Sequence, residues 1–102
     1  MESYKTRYKD GMPVFSTWDG KVDVYYDWLF FKLGELGCKT TSYGIHSPVL
    51  NVYCNYPKNN YVAIKKFFYD NYPYVLLVEP RRYGIRIHFN TKVTVVYNLE
   101  SY

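Results

Sequence analysis

The chain has 102 residues, 48% of them hydrophobic and 22% charged, and a net charge of +4. That length supports one domain burying roughly 65% of its unfolded surface, and the ordinary composition excludes a disordered or fibrous chain. No apolar run approaches the ~20 residues of a membrane span, and "MESYKTRYKDG" lacks the apolar heart of a signal peptide, so a soluble protein with no membrane partner is expected.

Residues 1–11 are polar and basic and read as a loose N-terminal arm. "PVFSTW" and "KVDV" then flank Asp19-Gly20, a pair suited to a two-residue hairpin turn because glycine accepts positive φ. In "DVYYDWLFFKLGELG", Asp23 can cap a helix, Val24, Trp28, Phe31 and Leu36 recur near helical spacing, and Gly37 is a natural stop. The period then changes to two. "CKTTSYGI" and "VLNVYCN" read as strands around His46-Ser47-Pro48, the first of them a polar edge strand.

"NYVAIKKFFYDNYP" repeats the first helix in outline, with Asn60 as cap and Phe67-Phe68 standing where Phe30-Phe31 stood. The strands "YVLLVE", "YGIRIHF" and "KVTVVYN" follow. Val75–Val78 is apolar on both faces and reads as a central strand. In "YGIRIHF", Tyr83, Ile85, Ile87 and Phe89 face inward and Arg86 and His88 outward, with a turn at Asn90-Thr91. Tyr-Gly-Ile and Val-Tyr also occur once in each half, in the same order.

The pattern predicts an α+β fold. Two similar helix–antiparallel-strand units, an internal structural repeat, form one compact domain: a first αβ unit with its leading hairpin over residues 12–57 and a second over 58–102. One such unit is too small to bury its own apolar faces, whereas two bury them against each other and leave a junction. Concave junctions favour ligands and partners.

Chemistry is harder to find. Asp19, Asp23 and Asp27 are spaced by four, which sets Asp23 and Asp27 for one helix face, but acids at a helix start complement its dipole more simply than they bind Mg²⁺. Cys38, Cys54, His46 and His88 contain no close ligand pair of the zinc type. No nucleophile–base signature or phosphate loop is present, so no enzyme, cofactor or metal is expected. Cys38 and Cys54 lie symmetrically about His46, so a disulfide between them is geometrically conceivable beside two buried free thiols.

Two surface features remain. The first is a surplus of tyrosine, 14 residues in all. Tyrosine supplies large contact area with few rotamers to freeze, and interfaces are enriched in it. Tyr25, Tyr43, Tyr53, Tyr83 and Tyr97 belong to the matched segments, so the leading expectation is a protein- or peptide-binding module, self-association included, with a tyrosine-lined groove between the repeats. The second feature is charge. Residues 1–57 hold six Lys/Arg and six Asp/Glu, while residues 58–102 hold seven against three. Arg81, Arg82, Arg86 and Lys92 therefore make nucleic-acid binding the alternative. "RRYGIRIHF" resembles the RNA-recognition strand pattern in outline, but lacks its first glycine and carries Arg86 and His88 at apolar and aromatic positions.

In size, tyrosine richness and lack of familiar motifs, the whole chain resembles the small orphan proteins of Acidianus filamentous viruses, the lipothrixvirus type that infects hyperthermophilic archaea. The resemblance implies a viral protein made in the cytoplasm of a hot-living host. It also favours the Cys38–Cys54 bond, since intracellular proteins of such hosts are often disulfide-rich. It carries no functional residue onto this sequence.

Overall fold

A computed structural model describes residues 8–9, 12–13, 20–55 and 58–96. The elements in order are β1 (Tyr8–Lys9), β2 (Met12–Pro13), β3 (Val22–Tyr25), α1 (Tyr26–Glu35), β4 (Lys39–His46), β5 (Val49–Asn55), a 3₁₀ turn (Lys58–Asn60), α2 (Tyr61–Asn71), β6 (Val75–Arg81), β7 (Gly84–Phe89) and β8 (Val93–Val96). β1 and β2 pair with each other, inside and just after the expected arm. The principal sheet is antiparallel throughout, in the order β4-β5-β7-β6. A second sheet pairs β3 with β8 in parallel.

The start of the first unit differs from expectation. Residues 14–19 of the expected hairpin lie outside the described residues. The other arm, Val22–Tyr25, pairs with β8. Val22 and Val24 are buried, and the intervening Asp23 accepts a 2.6 Å hydrogen bond from the Thr94 hydroxyl directly across the pair. Asp23 is thus committed to a strand, and the helix begins three residues later, at Tyr26. Its end is as expected. The N–H groups of Gly37 and Cys38 donate to the carbonyls of Gly34 and Leu33, with Gly37 at φ 86°, the geometry of a Schellman cap.

The later start rotates the apolar stripe of α1. Trp28, Leu29 and Leu33 are buried, while Phe31 is 62% exposed and Phe30 is exposed beside it. In α2 the stripe is Ile64 and Phe68, with Phe68 fully buried. The two Phe pairs therefore do not mark equivalent positions; the i, i+4 pairs Leu29/Leu33 and Ile64/Phe68 do the same work. Asn60 stands at the N-cap of α2, but its amide donates to the Leu36 carbonyl (2.8 Å), fastening the start of α2 to the end of α1.

Both helices feed one core. The Trp28 and Phe67 rings stack at 5.8 Å, Phe68 stacks on Tyr72 at 5.8 Å, and Tyr72 meets Phe89 edge-on at 6.2 Å. This aromatic chain links α1 to α2 and α2 to the sheet. The sheet contributes Leu50, Val52, Cys54, Val78, Ile85, Ile87 and Phe89, and the small sheet adds Val22, Val24 and Val93. Alternation in β5 and β7 follows the sequence, with one exception. Tyr83 belongs to the β6–β7 turn and is 69% exposed, because the strand begins at Gly84. A Cβ at Gly84 would run into the Val52 carbonyl oxygen, so the close approach of β7 to β5 requires glycine there. Val75–Val78 is the other departure. β6 is an edge strand, and Leu76 and Leu77 are exposed.

The stripe assignment has a direct consequence. Phe68→Ala should destabilise the fold by about 3–5 kcal/mol, and Phe31→Ala should stay within about 0.5 kcal/mol. Denaturant unfolding of the two variants measures this, and comparable losses would overturn the assignment.

Candidate functional site

With both helices on one face, the other face of the principal sheet carries the outward residues of four strands. Cross-strand pairing arranges them in rows. Gly44, Asn51, Arg86 and Glu79 form one row, and His46, Val49, His88 and Leu77 another. Tyr53, Gly84 and Arg81 continue the face toward the β6–β7 turn. The Tyr53 ring lies over Gly44, where a Cβ would sit 3.3 Å from its hydroxyl oxygen.

At the turn end the face is concave. A cavity of about 310 Å³ is lined by Asn51, Tyr53, Arg81, Arg82, Tyr83 and Arg86, together with Val52, Gly84 and Ile85. Tyr53 comes from the first half of the chain and Tyr83 from the second. A neighbouring cavity of about 320 Å³ is lined by Cys54, Asn55, Lys58 and the same Arg81 and Arg82.

The arginines are held in different ways. Arg86 Nε donates to Asn51 Oδ1 at 2.8 Å, a neutral acceptor that orients the guanidinium and leaves its charge in place. Arg82 lies over the Tyr83 ring at 5.4 Å, a cation–π contact. Arg81 is 3.6 Å from Glu79 Oε2. The other oxygen of Glu79 meets His88 Nε2 at 3.0 Å. That hydrogen bond holds the Glu79 carboxyl below its usual range, with Arg81, His88 and Arg86 adding favourable charge.

The expected site residues separate into groups. Tyr53 and Tyr83 meet at the first cavity, and Arg81, Arg82 and Arg86 join them there. Tyr25 is in the core at 4% exposure. Tyr43 is half-buried on the helix side of β4, its ring 4.7 Å from that of Tyr26. Tyr97 lies outside the described residues. Lys92 is exposed between β7 and β8, at the far end of β7 from Arg86's cavity. Asn51 and Lys58 were not foreseen. The signal for Asn51 was present, because in "VLNVYCN" it alternates with buried Leu50 and Val52 just as Tyr53 does.

Cys38 and Cys54 are free thiols, both buried, so the bond considered from the sequence is not formed. They touch through a hydrogen bond that lowers the Cys38 thiol, while the same bond and burial push Cys54 up. Asp23 sits in β3 and Asp27 in the first turn of α1, so they do not share a helix face. Among the described residues, no three His, Cys, Asp or Glu side chains converge as metal ligands. No described helix is long and apolar enough to cross a membrane.

Two measurements check this geometry. Both thiols should resist a thiol reagent until the protein unfolds and should then react; an intact mass lower by two hydrogens would reveal a disulfide instead. His88→Ala should move the Glu79 titration up, toward the ordinary carboxylate range, read by carboxyl-carbon NMR. The sign follows from the lowered native value: the contribution of Glu79 to stability is present above its unfolded pKa and is lost as pH falls through the folded one. An unmoved midpoint would assign the shift to another group. Comparison with protein family models, curated proteins and solved structures finds no match to this chain.

Proposed function

We propose that the chain is a non-catalytic binding module that captures an extended segment of another protein at the concavity between its two halves. One observation carries the reading: Tyr53 from the first half and Tyr83 from the second line the same cavity, and both are exposed. Rings standing on a backbone fixed by the β5–β7 pairing offer contact area at little entropic cost. We read the halves as like units because each runs helix, strand, strand, and because their second strands, β5 and β7, meet in the middle of the sheet. An extended segment suits a site of this kind, since its alternate side chains can enter the cavity as it lies across the open face.

A second reading has its own support. Arg81, Arg82 and Arg86 line the cavity beside two tyrosines, and Tyr83 is not in the core, so an aromatic–basic surface for single-stranded nucleic acid is available. Lys92 is not part of that surface.

Selection of a displayed library of random dodecapeptides on the immobilised protein tests the leading reading. Peptides should be enriched, and both Tyr53→Ala and Tyr83→Ala should weaken them by about tenfold or more. Because both side chains are exposed, the variants should melt within a few degrees of the parent. An unenriched library, or binding indifferent to both substitutions, would remove the reading. A single-stranded oligonucleotide that binds with a steep salt dependence would favour the second.

A further inference from the structure

Resting on that reading, we infer that the captured segment is acidic, with one carboxylate seated at Arg86 and Arg81 and a second at Arg82 and Lys58. The two cavities share Arg81 and Arg82 and so adjoin at the β6–β7 turn, and we treat them as one trough. Four cations line this trough. Among the described residues one carboxylate, Glu79, stands near it, and that group is engaged by His88 and Arg81. Among the described residues, no carboxylate lies within ion-pair distance of Arg82, Arg86 or Lys58.

The presentation of Arg86 carries the argument furthest. A guanidinium offers a planar fork matched to a carboxylate. Here Nε is already bonded to Asn51, and the side chain is half-buried, so its orientation is set before a ligand arrives. Holding a cation with an amide oxygen fixes its direction without neutralising it. Arg82 is steadied by the Tyr83 ring at 5.4 Å, which likewise leaves its charge in place. A charged partner with two carboxylates would answer this excess.

A nucleic-acid chain answers it less well. Phosphate-driven affinity accumulates over many contacts, with six to ten typical of strong binders. The trough offers four cations, of which Arg81 is paired with Glu79 and Arg86 stands across the strand pair from it. Two carboxylates on a peptide use what is there, and its apolar side chains can use Tyr53 and Tyr83.

The dodecapeptide selection tests this by composition. Enriched peptides should contain acidic residues at two positions. Replacing these by Asn or Gln in a selected peptide should weaken binding about tenfold or more in fluorescence anisotropy. Arg86→Gln and Arg82→Gln should each weaken the acidic peptide several-fold and flatten its salt dependence, with Lys58→Gln acting in the same direction. Lys92→Gln, at the opposite end of β7, should have no effect. If Arg86→Gln disturbs folding, the exposed Arg82 and Lys58 still decide the matter. Enrichment of neutral peptides, or equal binding of the amide versions, overturns the acidic partner and leaves the peptide reading intact. An unenriched library overturns both. A dT16 oligonucleotide that displaces the peptide and binds more tightly than any peptide selected overturns this inference in favour of nucleic acid.

Discussion

The placement of α1 and α2 on the same face of the four-stranded sheet governs the rest of the molecule. Two helices of ten and eleven residues can cover one face of a sheet this size and no more. The aromatic chain from Trp28 through Phe67 and Phe68 to Tyr72 and Phe89 holds them there. Tyr72 sits so deep that burial raises its phenol well above the ordinary value, which places it among the core groups. The other face must then meet water, and its residues follow: Asn51, Glu79, Arg86 and His88 form a hydrogen-bonded polar layer. At the concave end of that layer β7 comes close to β5 at Gly84, where no side chain intervenes. A side chain there would separate the strands at the place where Tyr53 and Tyr83 now share a cavity.

Much of this was legible locally. The hairpin around Ser47-Pro48, the second helix, the Gly37 cap and the outward placing of Arg86 and His88 all follow from patterns within a dozen residues. What failed depended on distant partners. Val22–Tyr25 reads as a helix start because Asp23 is a good cap, yet its partner is β8, 71 residues further along the chain. Only with Thr94 beside it does Asp23 become a strand residue. Val75–Val78 shows the same limit. Its apolar run suggests burial on both sides, but strand order sets exposure, and the order places β6 at the edge. Tyr83 reads as inward because the alternation that assigns Ile85 and Ile87 correctly extends one residue too far, into the turn.

Edge placement of β6 gives two tyrosines a task that composition alone does not suggest. The hydroxyls of Tyr61 and Tyr69, both on α2, donate to the carbonyls of Val78 and Leu76 at 2.7 and 3.2 Å. These two bonds occupy backbone acceptors along a strand whose apolar side chains are exposed, and an edge of that kind invites pairing with another chain. α2 thus serves the core with Ile64 and Phe68 and guards the edge with Tyr61 and Tyr69.

The abundance of tyrosine is therefore a sum of separate solutions. Tyr25 and Tyr72 fill the core, Tyr26 and Tyr43 pack ring to ring between α1 and β4, and Tyr61 and Tyr69 bond to the β6 edge. In the first four the ring does the packing, and in Tyr61 and Tyr69 the hydroxyl at its tip bonds a β6 carbonyl. Subtracting these from the residues matched between the halves leaves Tyr53 and Tyr83 as the described pair on the open face. They owe that position to register: Tyr53 alternates with buried Val52 and Cys54, and Tyr83 falls just before the strand begins. Neither ring is needed to complete the core, and both stand where arginines gather. A feature that folding does not require, placed beside charge that the fold leaves unneutralised, is where selection for a partner has most room to act.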